Sequence, residues 1–257
     1  MSSLPTEKHP FAAEAFVLRH YDYSDHDRIV VLFSREFGLL RAIAKGLRRP
    51  NSKMAGRLEL LRCNQFLLKR GRTLHRIEQC DTVRHFPGVY QDYDRLMVAL
   101  AVGDLVSTFC QEMDPHPELY QALSVFMAHL GEETEPLIAL LTFELYFLEV
   151  MGYAQDFSCC QNCGHPFGSE DRHVFHLHHG SLLCADCNPG TLVQHMPRAV
   201  GQILSWIQAE EGLPREHPNL PKALARAHFA LRSFFEHIAE KEIKALHFVI
   251  PATAATR

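Results

Sequence analysis

Two cysteine pairs, Cys160-Gln-Asn-Cys163 and Cys184-Ala-Asp-Cys187, stand 20 residues apart in the segment FSCCQNCGHPFGSEDRHVFHLHHGSLLCADCNPG, residues 157–190. A CxxC turn aims both sulfurs to one side, and two such turns at this separation can enclose one tetrahedral ion. Gly164 follows the first pair and suits the positive φ of such a knuckle. Four thiolates leave no coordination position for water or substrate, so the expected ion is a structural Zn2+ rather than a catalytic one. The alternatives are a reduced thiol set or a redox dithiol. Cys159 competes with Cys160 as a ligand, but CxxCG makes the better knuckle. His165, His173, His176, His178 and His179 are expected as surface or hairpin residues. Cys63, Cys80, Cys110 and Cys159 read as small buried hydrophobes.

A second chemistry lies in the run from Arg41 to Arg57, which carries Arg41, Lys45, Arg48, Arg49, Lys53 and Arg57 and no acidic residue. On a strand, Arg41 and Lys45 would share a face, because side chains repeat every two residues. Gly46 would end that strand, leaving Arg48, Arg49 and Lys53 on a loop where Asn51 and Ser52 add neutral phosphate contacts. Lys69, Arg70, Arg72 and Arg76 extend the positive charge. A cationic track on a small barrel holds single-stranded nucleic acid without reading its sequence. The sequence contains no Walker loop, GxGxxG, GxSxG or HExxH, so nothing else suggests an active site.

These residues need elements to position them. Segments of strand character run over Glu14–His20, Arg28–Ser34, Leu39–Lys45, Leu58–Lys69 and Leu74–Asp81, separated by turn clusters. No crossover helices lie between them, which favours a small barrel or sandwich over a parallel sheet. From Tyr90 the period changes. Leu119, Leu123, Phe126, Met127 and Leu130 trace one helix face, while Leu96–Cys110 and Leu137–Met151 are apolar nearly all round, as in buried helices. Val200, Ile203, Leu204 and Ile207 repeat the pattern after Pro197. A last helix is expected to start at Asn219 as N-cap and to bury Leu224, Ala227, Leu231, Phe234, Phe235 and Ile238. The expected class is therefore α+β and multidomain: a flexible tail (1–12), a basic β domain (13–86), a helical domain (87–250) with a zinc module at 157–190, and a tail (251–257).

Charge divides the same way. The chain's net charge is −4, yet residues 1–86 hold 16 of the 26 Lys/Arg and 9 of the 30 Asp/Glu, about +7, which leaves about −11 beyond them. Only the N-terminal part should attract a polyanion. Neither a signal peptide nor a membrane span is expected, since Leu137–Met151 is short and carries Glu144 and Glu149. A cytoplasmic location follows, and eight cysteines there argue against disulfides.

Taken together, the chain resembles the bacterial recombination mediator family RecO over residues 14–245. The run EAFVLRHYDYSDHDRIVVLFSREFGLLRAIAKGLRRPNSKMAG is similar to the family's opening, with its AKG-x-R-R-P-x-S segment at Ala44–Ser52. Ser24-Asp25 departs from the family's Gly-Glu-like turn but touches no basic position. The CxxCG…CxxC insertion resembles the zinc-carrying members. The resemblance implies an N-terminal OB-fold, a helical C-terminal domain with an embedded zinc module, and no bond-making activity. It implies binding of single- and double-stranded DNA, annealing of complementary strands, and a place at the nucleoid. It also implies association with RecR and with the C-terminal tail of single-strand-binding protein, so that RecA is loaded onto covered DNA; a need for RecF stays open. The transferable DNA-binding residues are Arg41, Lys45, Arg48, Arg49, Lys53 and Arg57. The competing reading is an RNA-binding OB-fold and zinc protein of translation or RNA processing.

Overall fold

The computed structural model describes residues 9–132, 135–168, 173–209 and 220–249. Asn219, the expected N-cap, lies outside them, as do residues 1–8 and 251–257 of the expected tails. By contacts the chain divides into two compact units, Met1–Gly131 and Glu132–Arg257.

In the first unit five strands close into a barrel: β1 (Phe11–Asp22), β2 (Arg28–Ser34), β3 (Gly38–Ala44), β4 (Cys63–Lys69) and β5 (His75–Arg84). Their order is β1-β2-β3-β5-β4, with β4 returning to β1. All pairings are antiparallel except β3 with β5, which is parallel and joins Ala42 to His75 and Ile43 to Arg76. Ala13, Ala15, Val17, Val30, Leu32, Leu40, Ala42, Phe66 and Leu68 fill the interior. This is the OB-type barrel expected from the sequence.

The strands alternate imperfectly because much of the outer face is also covered. After the short helix α1 (Pro87–Tyr90), α2 (Tyr93–Phe109) and α3 (Pro117–Leu130) pack within the same unit. Phe16 and Phe33 are fully buried and lie 5.4 and 6.1 Å, ring to ring, from Tyr120 of α3. The Tyr120 hydroxyl donates to Glu14 Oε1 at 2.8 Å, and Arg84 Nη2 reaches the same oxygen at 2.7 Å. Burial alone would raise the Glu14 carboxyl, but these two partners hold it below the ordinary carboxylate range.

One expected strand is shorter than its apolar run. Strand β4 starts at Cys63, and Leu58–Arg62 turns instead, with Leu61 at φ 65°. Leu58 and Leu61 are fully buried, Leu61 against Gly103 of α2, so the run serves as a plug. Strand β1 begins at Phe11, inside the expected tail.

The second unit contains α4 (Pro136–Val150), α5 (Arg198–Gln208), α6 (Leu220–Ala239) and a 3-10 turn (Lys244–Phe248). It also holds a small sheet of β6 (His173–His176), β7 (Ser181–Cys184) and β8 (Val193–Met196), with β6 central. Helices α4 and α6 meet across a buried ion pair. His228 Nδ1 lies 3.1 Å from Glu144 Oε1, and its Nε2 lies 3.1 Å from the Leu246 carbonyl oxygen. A carbonyl only accepts, so Nε2 carries a hydrogen.

Candidate nucleic-acid interface and metal centre

Beyond Ala44 the chain leaves the barrel as a succession of turns. Gly46, at φ 66°, donates its N–H to Asp27 Oδ1 at 2.8 Å, and Arg48 N–H donates to the His26 carbonyl at 3.0 Å. Both bonds tie the basic loop to the β1–β2 hairpin. The backbone N–H of Arg49 reaches the Gly46 carbonyl at 3.1 Å and that of Ser52 reaches the Arg49 carbonyl at 3.0 Å, while Leu47 is buried beneath. Lys45, Arg49 and Lys53 thereby line one open concavity of about 650 Å3 together with His26, Asn51 and Ser52. Among the described residues no carboxylate lines it.

The other three cations are placed differently. Arg41 projects from β3 and pairs with Glu112 at 2.9 Å. Arg48 lies 3.5 Å from Asp22, which Arg28 also holds at 2.8 Å. The Arg28 hydrogen bond, aided by the Arg48 charge, keeps the Asp22 carboxyl below its ordinary range. Arg57 lies 3.4 Å from Asp81 and donates to the Cys80 carbonyl at 3.0 Å. The six residues are thus three cations gathered in the concavity and three that already face a carboxylate. His26 escaped sequence reading, since its motif YDYSDHD looks like a plain acidic turn.

The cysteine centre forms from two knuckles within the second unit. In the first, Gly164 at φ 72° donates to the Cys160 carbonyl at 2.8 Å, and Cys160 N–H donates to the His165 carbonyl at 2.8 Å. The second sits at the end of β7, where Cys187 N–H reaches the Cys184 carbonyl at 3.2 Å. The sulfurs of Cys160, Cys163, Cys184 and Cys187 all lie within 4.8 Å of one another, a group that can hold a metal ion. Cys160 is fully buried, and with Val174 and Leu183 it makes a small core of its own.

Electrostatics around the sulfurs fit a cation. Burial alone would raise the Cys160 thiol, but N–H groups of Cys184, Cys163 and Asn162 outweigh it and bring the thiol down to about 6. The Asn162 amide, 3.3 Å from the Cys187 sulfur, favours its thiolate, yet the neighbouring sulfurs outweigh this and hold Cys187 at about 12. Four sulfurs this close cannot share negative charge until a divalent cation neutralises them. Cys159 stands outside the group and, against expectation, is partly exposed beside Asp156, 3.5 Å away. Cys63, Cys80 and Cys110 are buried as expected; burial pushes the last two up to about 12, so neither is a reactive thiolate.

Of the histidines, His173 and His176 belong to β6, with His173 buried, whereas His165, His178 and His179 are exposed. Among the described residues no helix is long and apolar enough to cross a membrane.

Comparison with known proteins matches both units' sequences. The family model for the recombination protein O N terminus covers residues 9–86, and that for its C terminus covers residues 90–246. DNA repair protein RecO of Syntrophus aciditrophicus is 32% identical over 91% of this chain and 92% of its own length. DNA repair protein RecO of Desulfitobacterium hafniense is 31% identical over 76% of this chain and 69% of its own. The protein of that name from Dehalococcoides mccartyi is 27% identical over 94% and 95% respectively. Matched in both its parts and over nearly its whole length, the chain belongs to the recombination protein O family.

Proposed function

We propose that this chain is a recombination mediator of DNA repair that binds single- and double-stranded DNA and anneals complementary strands. Its work is binding rather than bond-making. The observation that carries this reading is the concavity where Lys45, Arg49 and Lys53 converge, with no carboxylate among its described lining residues. Cations in that setting neutralise phosphates and displace condensed counterions, while the bases stay free to pair. Arg41, Arg48 and Arg57 contribute once their carboxylate partners are exchanged for phosphates. Acting with RecR, and recruited through the C-terminal tail of single-strand-binding protein, the chain would help load RecA onto covered DNA in the cytoplasm, at the nucleoid. RecF is a further candidate partner.

The four thiolates hold Zn2+ in this reading. A Zn–S length of about 2.3 Å places tetrahedral sulfurs about 3.8 Å apart, and the Cys163 and Cys184 sulfurs are 3.9 Å apart. With every coordination position filled by protein, the ion would supply a crosslink between the two knuckles and no chemistry at the DNA.

The test compares two triple variants, Lys45→Gln/Arg49→Gln/Lys53→Gln and Arg41→Gln/Arg48→Gln/Arg57→Gln. Binding to matched DNA and RNA is followed by anisotropy across salt concentrations, beside annealing of protein-coated complementary strands. The first triple should reduce the slope of log K against log salt on duplex DNA by about 2–3, with less change in the second. Wild-type slopes in the first triple would remove the concavity from the interface. RNA binding tighter than DNA binding, with no annealing, would favour the translation-factor reading.

A further inference from the structure

We propose that the β6–β7 turn and the end of α6 form a second transition-metal site, separate from the cysteines, with His178 Nδ1 and His237 Nε2 as ligands.

The turn is fixed on the helix by packing. Its closing residue, Gly180, has φ 67° and donates its N–H to the His176 carbonyl at 2.9 Å. A Cβ there would lie 2.4 Å from the Phe234 ring, so only glycine lets the turn rest on α6. Phe234 is itself wedged by Phe175 and Tyr153, ring to ring 6.4 and 6.0 Å. His237 follows Phe234 by three residues and therefore emerges on the same helix face, beside the turn.

Four imidazoles meet there. His178 Nδ1 and His237 Nε2 are 3.2 Å apart. Metal–nitrogen lengths of about 2.0–2.1 Å set two tetrahedral ligands about 3.3 Å apart, so this pair already has the span of a chelate. The rings of His178 and His179 are 4.8 Å apart, and those of His179 and His176 stack at 4.8 Å. His179 is exposed and reaches the ion by side-chain rotation; water fills the remainder. The last turn of α6 places the negative end of the helix dipole beside the cation. Imidazole ligands select borderline divalent ions such as Ni2+, Zn2+ and Cu2+. Unlike the cysteine centre, this site keeps open positions and exchanges with solvent.

The full chain, with zinc at the cysteines verified by metal analysis in the same sample, is titrated with Ni2+ by calorimetry at pH 7.5. One further saturable equivalent is expected. His178→Gln and His237→Gln, changes in two different elements, should each weaken it at least tenfold. His247→Gln, whose ring faces Glu236 at 2.7 Å, should leave it unchanged. Lowering the pH to 5.5 should remove it, because protons compete for the same nitrogens. Absence of the additional equivalent, or wild-type affinity in both His178→Gln and His237→Gln, would overturn the site and leave the 3.2 Å contact as an imidazole hydrogen bond.

Discussion

Removing His228 should destabilise the second unit far more than removing His228 and Glu144 together. Both side chains are almost wholly buried, at 3% and 0% exposure, so neither has water to fall back on. In His228→Ala the Glu144 carboxyl loses its 3.1 Å partner and the Leu246 carbonyl loses its donor. Breaking one side of a buried pair costs about 3–5 kcal/mol. In the double variant Glu144→Leu/His228→Leu no charge is stranded. Only the Leu246 carbonyl remains unsatisfied, at about 1–3 kcal/mol. Trp206, the only tryptophan, lies on α5 of the same unit, so its fluorescence in urea reports the relevant transition.

Acidity gives a second handle on the same pair. Burial opposes charge on His228, but the Glu144 carboxylate and the Leu246 carbonyl outweigh it and raise the imidazole above its ordinary range. Burial also raises Glu144, against the pull of His228 and Arg232. Both shifts make the folded unit hold its proton more tightly than the unfolded chain does. The His228 contribution is therefore complete below about pH 6.5 and is lost as pH rises through the folded value, at about 1.4 kcal/mol per pH unit. Wild type should lose this advantage over the double variant as the pH rises above 6.5. His228→Ala within about 1 kcal/mol of wild type, or a double variant weaker than His228→Ala, would refute the reasoning.

Chelation of the cysteine-bound ion should lower the urea midpoint reported by Trp206, since Cys160, Val174 and Leu183 form too small a core to stand alone. An unchanged Trp206 transition after verified metal removal would contradict that. Gly38→Ala should strike the first unit instead. Its φ is 65° and a Cβ would sit 2.0 Å from the Asp114 carbonyl oxygen, so backbone must shift, at about 2–4 kcal/mol. Circular dichroism melts would read the loss, and a wild-type melt would show that the Asp114 segment yields freely.

How much of this was legible depended on distance along the chain. The cysteine knuckles were readable because each spans only four residues, and β2 was placed to the residue by its bounded apolar run. Leu58–Arg62 was misread as strand because apolar content alone does not separate a plug from a strand. The basic run was visible, but period-two spacing placed Arg41 and Lys45 together, whereas β3 ends at Ala44 and Arg41 faces Glu112. That carboxylate lies far along the chain, and no local pattern announces it. For the same reason nothing in HLHH suggested His237. Likewise, the packing of α2 and α3 with the barrel was hidden, since a stripe of leucines does not name the surface it covers.

The barrel's closure is uneven. Strands β1, β2 and β4 each share long ladders with their neighbours, but β3 and β5 meet at only two residue pairs, Ala42 with His75 and Ile43 with Arg76. Those two pairs are separated in sequence by the whole basic loop and β4, so forming them closes a long loop for little backbone pairing. They are also the seam at which backbone amides should exchange with solvent first. The loop bearing Lys45, Arg49 and Lys53 begins directly at that seam. A strand of DNA lying along it would act as a clasp, slowing exchange at residues 42–43 and 75–76.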